Sequence, residues 1–141
     1  MTTRRVAYGF GTTLPLPFED AVLRTKAALR EQGFGVLTEI DVKETFKQKL
    51  GVERAPYLIL GACNPPLAHR ALEVEPEIGL LLPCNVIVYE EDGGSVVEAM
   101  DPEAALGIAQ SAALAGVAAE AKARLQKVIE TLERAGGGKR V

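Results

Sequence analysis

The chain has 141 residues, of which 48% are hydrophobic and 25% charged, and its formal net charge is -3. This length and composition fit one folded domain and differ from those of disordered chains. Binding to a phosphate backbone needs clustered lysine and arginine side chains, which an acidic chain without a basic cluster lacks. Nucleic acid is therefore excluded as an expected partner.

Hydrophobic segments of the sequence do not indicate a membrane protein. The most apolar run, residues 104–119, is shorter than a transmembrane span and is interrupted by Gly107 and Gly116. Arg4 and Arg5 are not followed by the continuous apolar stretch of a signal peptide. We expect a cytoplasmic protein whose two cysteines are free thiols, although its few Asn, Gln, Cys and Met residues resemble heat-adapted chains, in which intracellular disulfides occur.

The first predicted strand covers about residues 3–10, where larger apolar side chains alternate with smaller or polar ones. Residues 11–17 are predicted to form a turn. Pro17 then suits the first turn of a helix, which is expected to stop at Gly33. Its inward side would carry four residues at helical spacing, Phe18, Val22, Thr25 and Leu29.

A second strand is predicted over residues 34–40, again from alternation of apolar side chains. Asp41 and Glu44 have the spacing of a capping box and predict the start of a short helix. Gly51 is expected to end this helix. The continuous apolar run "APYLILGA" is typical of a central strand that is covered on both faces.

Asn64 and Pro65 predict the start of another helix, which ends before Pro76. A hairpin is predicted over residues 84–100 with its turn at Asp92-Gly93-Gly94. Asp101 and Pro102 then predict the cap and first turn of a further helix.

The C-terminal part of the chain is predicted to be a long helix with one apolar stripe. Its members are Val117, Ala121, Leu125, Val128 and Leu132, with Ile129 beside them. Together the elements predict an α+β fold: one domain over residues 1–135, with a mostly antiparallel sheet of about five strands, helices mainly on one face and a long C-terminal helix. Residues 136–141 are expected to be a flexible tail.

Two cysteines, each followed by asparagine, are the candidate site. If the strand ending at Ala62 pairs antiparallel with the strand beginning at Cys84, then Cys63 and Cys84 lie at one edge of the sheet. Cys63 precedes a helix, where the helix dipole favours a thiolate and lowers a thiol pKa. We therefore take Cys63, Cys84 and Asn64 as candidates for ligand binding or redox chemistry, with burial of an inert Cys84 as the alternative.

The only histidine, His69, lies about one turn into the same predicted helix. Side chains tilt toward the start of a helix, so His69 could approach Cys63. Cys63, Cys84 and His69 make three ligands of the four in a structural zinc site, and Glu73 could supply the fourth. The spacing matches no strong metal motif, and a lone histidine on a helix is more often a surface residue.

The ordered combination of Asn64-Pro65, Pro76, Ile78-Gly79 and Pro83 resembles the family called domain of unknown function 302. The resemblance extends from the first strand to about Ala109. It implies a compact α+β domain and a homodimer, and it brings no known activity. It also assigns Asn64, Pro65 and Pro83 to the framework, and the two cysteines to only some members.

Three hypotheses follow from these observations. The first is a small binding domain that holds a divalent metal such as zinc, or a small molecule, near Cys63, Cys84 and His69. The second is a homodimeric interaction module without catalysis that uses the alanine-rich C-terminal helices. The third is a thiol-redox protein in which Cys63 attacks and Cys84 resolves. Residues for an enzyme of another kind cannot be named from the sequence.

Overall fold

The computed structural model describes the backbone of residues 6–140 and the side chains of residues 6–138. The strands are β1 (Gly9–Leu14), β2 (Gly35–Asp41), β3 (Tyr57–Cys63), β4 (Cys84–Glu91), β5 (Gly94–Met100) and β6 (Lys139–Arg140). The helices are α1 (Phe18–Glu31), α2 (Val42–Leu50), α3 (Pro65–Val74), α4 (Pro102–Leu106) and α5 (Ala112–Gly136). Two 3₁₀ segments occur, at Pro76–Leu81 and at Gly107–Ala109.

All strands belong to one antiparallel sheet in the order β2-β3-β4-β5-β1-β6. The predicted α+β class, the sheet of about five main strands and the long C-terminal helix are confirmed. Local signals mark several boundaries as predicted. Asp41 accepts a hydrogen bond from the backbone N–H of Glu44, Asp101 caps α4, and Asp92 and Gly93 form the turn of the β4–β5 hairpin with positive φ.

The main core lies between the sheet and the helices α1 and α5. Leu60, Val88 and Val97 on the strands and Leu29 and Leu125 on the helices are all inaccessible to solvent. Each such side chain contributes roughly 1.5–3 kcal/mol through its removal from water. The sheet is therefore held to the two helices by one continuous apolar layer.

A second apolar cluster joins α3, the 3₁₀ segment after it, α4 and the first half of α5. It contains Leu67, Ala71, Ile78, Leu106, Leu114, Val117, Ala118 and Ala121. The second half of α5 contributes Leu125, Val128, Ile129 and Leu132 to the main core. The predicted stripe of α5 is thus buried along its whole length, within the chain.

Two predicted segments differ from the structure. Strand β1 is Gly9–Leu14 rather than residues 3–10, because the supposed turn residues Thr12 and Thr13 pair with Val97 and Val96 of β5. Residues 3–5 of the predicted strand lie outside the described part. The predicted flexible tail from residue 136 contains a short strand, since Lys139 and Arg140 pair with Thr13 and Thr12.

We predict that Leu125→Ala lowers the free energy of unfolding by about 2–5 kcal/mol, because it leaves a cavity where α5 meets the sheet. Chemical denaturation measures this loss. Leu23→Ala on α1 is the matched control, since Leu23 is exposed and its truncation should change the stability by no more than about 0.5 kcal/mol. Equal losses for both variants would contradict the assignment of the core.

Candidate functional site

The two cysteines lie at neighbouring strand ends. Strands β3 and β4 pair antiparallel as predicted, with Ala62 opposite Cys84 and Gly61 opposite Asn85. Cys63 is the last residue of β3 and directly follows Ala62, the residue that is paired with Cys84. The structure brings both thiols to the same end of the sheet.

A cavity of about 360 Å³ opens at this end of the sheet, and both cysteines line it. Other parts of its wall come from the start of β2, from α3, from the 3₁₀ segment and from α5. They include Phe34, Leu37, Leu67, Ala71, Leu82, Pro83, Val117 and Ala121. Among the described residues, the wall contains no charged side chain.

The cavity exists because the two apolar clusters meet there without filling the space between them. Ala62 and Cys84 belong to the main core, whereas Ala71 and Ala121 belong to the second cluster. These four side chains are small, so α3 and α5 leave a gap above the strand ends. The volume lies within the range of ordinary small-molecule sites, and an engineered apolar cavity of about 150 Å³ already binds benzene.

Asn64 fixes the geometry at the edge of the cavity. Its side-chain oxygen accepts a hydrogen bond from the N–H of Leu67 at 3.2 Å and so caps α3, as predicted. Its side-chain nitrogen donates to the carbonyl oxygen of Gln32 at 3.4 Å, near the end of α1. Arg124 of α5 donates to the same oxygen at 3.2 Å. Asn64 therefore joins α3 to the end of α1, and both ends of its amide are engaged.

The thiols are less acidic than the sequence suggests. Burial raises the pKa of Cys63, whereas its position before α3 led us to expect a lowered value. Cys63 precedes the capping residue and is not in the first turn, so desolvation outweighs the helix dipole. Burial, and next the charge of Cys63, raise the pKa of Cys84 to about 11. Both side chains are neutral thiols at physiological pH.

His69 does not lie with the thiols and is a surface residue, which a lone histidine on a helix more often is. Its side chain is 75% exposed, and its Nε2 lies 3.2 Å from Oε1 of Glu73. Leu67 and Ala71 face the cluster, and His69 is two residues from each, which turns it to the opposite side of the helix. In the described part of the chain, no group of three or more His, Cys, Asp or Glu side chains could hold one metal ion. The ligand set of Cys63, Cys84 and His69 is not assembled.

Most of the cavity wall comes from residues that the sequence did not single out as candidates. Phe34 and Leu37 come from the segment around β2, and Val117 and Ala121 come from α5, more than thirty residues from either cysteine. The one available signal was the run of small residues in the first half of α5, which indicated close helix packing. Nothing in the sequence indicated that this packing stops short of the strand ends.

Comparison with protein-family models gives a match over residues 10–132, to the family described as "Domain of unknown function DUF302". The chain belongs to the DUF302 family. A solved structure titled "Crystal structure of uncharacterized conserved protein DUF302 from Bacillus stearothermophilus" is 28% identical and superposes with a TM-score of 0.83. The match covers 89% of this chain and 98% of the other, so the two share the DUF302 fold.

An "Uncharacterized protein" of Aquifex aeolicus is 28% identical over 81 residues. The matched stretch is 57% of this chain and spans half the length of that protein. Within the described residues of this DUF302 chain, no helix is long and apolar enough to cross a membrane.

We predict that Asn64→Ala lowers the free energy of unfolding by about 1–2 kcal/mol, because α3 loses its cap. Thermal or chemical denaturation measures the loss. Asn85→Ala is the natural control, since Asn85 is the other asparagine of the chain and is exposed on β4. A loss for Asn85→Ala as large as that for Asn64→Ala would contradict the structural role of Asn64.

A pH dependence follows from the raised pKa of Cys84. Between the ordinary thiol pKa of 9.0 and the folded-state pKa of about 11, the unfolded protein releases the Cys84 proton and the folded protein keeps it. The neutral thiol therefore contributes stability below pH 9 that is lost as the pH rises toward 11. The loss is about 2–3 kcal/mol.

Because lysine and tyrosine also titrate in this range, the measurement compares wild type with Cys84→Ala. The unfolding free energy of the wild type should fall more steeply from pH 9 to 11 than that of the variant. Parallel curves would show that Cys84 is not desolvated as described.

Proposed function

We propose that this protein binds a small, uncharged, apolar molecule in the cavity at the ends of β3 and β4. The observation that carries the proposal is the cavity itself: about 360 Å³ of space walled almost wholly by apolar side chains and two thiols. The size suits a molecule larger than benzene, such as a two-ring compound or a medium-length alkyl chain.

The absence of charge in the described wall determines the class of ligand. An ion that entered this space would lose its hydration without gaining a partner, which costs far more free energy than apolar burial supplies. An apolar molecule gains about 25 cal/mol for each Å² of surface that it removes from water. The site therefore selects against carboxylates, phosphates and amines, except where such a group projects from the mouth into solvent.

The properties of the two thiols favour a role as part of a ligand-binding wall over a role in redox chemistry or metal binding. Both have raised pKa values, so little thiolate is present to attack a substrate, a disulfide or a metal. The residue directly opposite Cys84 is Ala62, not Cys63. A redox pair and a zinc site therefore receive less support than a neutral binding cavity in which the sulfur atoms are part of the wall. A cytoplasmic location, where thiols stay reduced, fits this role.

Binding is also favoured over catalysis by the chemistry of the wall. Among the described residues, it offers no carboxylate, imidazole or amine that could transfer a proton. The polar side chains of the wall are the hydroxyl of Thr38 and the amide of Asn64. Both the oxygen and the nitrogen of this amide already form hydrogen bonds within the protein.

The uncharged fluorophore N-phenyl-1-naphthylamine tests the proposal, because its emission increases in apolar surroundings. We predict saturable binding to the wild type. Ala121→Leu fills the space between α5 and the strand ends, and it should weaken the affinity at least tenfold, which is about 1.4 kcal/mol. Ala113→Leu is the control, since Ala113 is exposed on the same helix and is not part of the wall.

If Ala121→Leu lowers the stability, Ala68→Leu on α3 provides a second way to fill the cavity from a partly exposed position. Absence of saturable binding to the wild type would overturn the proposal. Unchanged affinity in a folded filling variant would also overturn it, because the fluorophore would then bind elsewhere.

A further inference from the structure

The face of the sheet that points away from α1 and α5 carries a second group of side chains with binding chemistry. On β4, Val88 lies in the main core between Ile87 and Tyr89, which therefore point to the opposite face of the sheet. Tyr57 of β3 is paired with Tyr89, and Glu98 of β5 is paired with Ile87. The two tyrosines, the isoleucine and the glutamate therefore share this face.

A groove of about 500 Å³ runs over this face and is continued by a hollow of about 290 Å³. The residues that line both spaces are Val6, Tyr8, Tyr57, Ile87 and Glu98. The sequence contains three tyrosines, and all of them line the groove. We call the groove and the hollow together the tyrosine groove. No described residue lines both the tyrosine groove and the cavity at the ends of β3 and β4, so the two spaces are separate.

Glu98 lies inside the sheet and not at its edge, because β5 is the fourth of six strands. Its neighbour on β1 is Gly11, where a Cβ atom would lie 2.7 Å from Cγ of Glu98. The missing side chain of Gly11 therefore gives the Glu98 side chain its space. Oε1 of Glu98 accepts a hydrogen bond from the hydroxyl group of Tyr89 at 3.3 Å.

The carboxylate of Glu98 is half-buried and incompletely compensated. Among the described residues, no cationic side chain forms an ion pair with Glu98. A carboxylate that has lost part of its hydration is stabilised by a cation nearby. Glu98 is therefore the group of this face that favours a positively charged ligand.

Tyr57 already binds a cation of the chain itself. The guanidinium carbon of Arg54 lies over the Tyr57 ring, 5.0 Å from its centroid. The ring of Tyr89 stacks on Tyr57, with the two centroids 5.2 Å apart. A cation over an aromatic ring is attracted by the negative face of the ring. Because the Arg54 side chain is only half-buried and stays near solvent, a ligand cation can displace it.

The hydroxyl groups of the tyrosines bring hydrogen-bond acceptors to Glu98. Burial, and next the charge of Glu98, raise the pKa of Tyr57, whereas Arg54 opposes this shift and Tyr8 adds a smaller rise. The Tyr57 hydroxyl is therefore near all three groups and stays neutral at physiological pH. Tyr8 is 68% exposed, but its carbonyl oxygen accepts a hydrogen bond from the N–H of Asp101 at 2.8 Å. This bond holds the backbone of Tyr8 beside the end of β5.

The wall of the groove determines the class of ligand. Its charged side chains are one guanidinium, Arg54, and three carboxylates, Glu90, Glu91 and Glu98. Such a wall attracts cations and repels anions. An ammonium group donates three hydrogen bonds, which suits a carboxylate surrounded by phenol oxygens. Ile87 and the tyrosine rings offer apolar surface next to this polar group, so a suitable ligand has an apolar body as well as an ammonium group.

We propose that the tyrosine groove binds a small primary amine in its protonated form. The ammonium group lies against Glu98, and the apolar body contacts Ile87 and the rings of Tyr8 and Tyr57, where it replaces the Arg54 side chain. This site is independent of the apolar cavity, which selects against amines. The two spaces therefore bind ligands of different classes.

Tryptamine is a suitable probe, because the chain contains no tryptophan and indole fluorescence reports the ligand alone. Fluorescence anisotropy of tryptamine, titrated with the full chain, should show saturable binding with a dissociation constant on the order of a millimolar or less. Tryptophol has the same ring system with a neutral hydroxyl group in place of the ammonium group. It should bind at least tenfold more weakly than tryptamine.

Glu98→Gln keeps the size of the side chain and removes its charge. This variant should bind tryptamine at least tenfold more weakly and leave the affinity for tryptophol unchanged. Glu130→Gln is the matched control, since Glu130 is exposed on α5 and lies outside the groove. Thermal denaturation verifies that each variant is folded.

Arg54→Gln provides a second test that does not depend on the folding of the Glu98 variant. Because it removes the cation that competes for Tyr57, it should tighten tryptamine binding by about threefold. Lys127→Gln, which removes an exposed positive charge on α5, is its control and should leave the affinity unchanged. A purely structural role of Arg54 predicts the opposite sign, a weaker affinity.

Absence of saturable tryptamine binding to the wild type up to about 10 millimolar would overturn the proposal. Equal affinities for tryptamine and tryptophol, or an unchanged affinity in folded Glu98→Gln, would overturn it as well. A weaker affinity in Arg54→Gln would also contradict it. Tryptamine binding that is lost in Ala121→Leu would place the amine in the apolar cavity and would refute a site in the tyrosine groove.

Discussion

The packing of helix α5 against two separate apolar clusters is the contact on which the rest of the structure depends. Its second half, including Leu125 and Ile129, closes the main core over the sheet. Its first half, including Val117 and Ala121, holds α3 and α4. Because one rigid helix belongs to both clusters, the position of α3 relative to the sheet is fixed by α5 and not by direct contact alone.

The cavity is a consequence of this arrangement. Helix α5 packs on the sheet at Leu125, and the alanines at positions 71 and 121 are too small to fill the space above the ends of β3 and β4. Filling this space with larger side chains would be an easy route to greater stability, since apolar voids destabilise a fold in proportion to their volume. Asn64 and Arg124 both donate hydrogen bonds to the carbonyl oxygen of Gln32 in the same region. These polar contacts stabilise the position of the helices that form the apolar wall.

Local features could be predicted from the sequence because their causes are local. The caps Asp41, Asn64 and Asp101 each act on amides within the next three residues, and the turn at Asp92 and Gly93 depends on their own φ angles. Strand β1 was displaced because Thr12 and Thr13, between Gly11 and Pro15, resemble a turn until β5 is placed beside them. The strand pairing of residues 139 and 140 depends on the same distant partner, β1.

Only part of the candidate site could be predicted, because only part of it depends on local sequence signals. Antiparallel pairing of β3 and β4 was enough to bring Cys63 and Cys84 together, but the rotation of α3 decided that Leu67 faces inward and His69 outward. The thiol pKa values depend on burial by chain segments that are remote in sequence, so the helix dipole alone gave the wrong direction for Cys63. The shape of the cavity needs β2, α3 and α5 at once, and no single sequence pattern contains all three.

Diffraction from crystals pressurised with xenon tests the central claim most directly, because xenon enters apolar cavities without needing a specific partner. We predict a xenon atom between α3, α5 and the ends of β3 and β4, in contact with the side chains of Cys84, Leu67 and Val117. Ordered water molecules in that space instead, with no xenon bound, would contradict an apolar binding cavity.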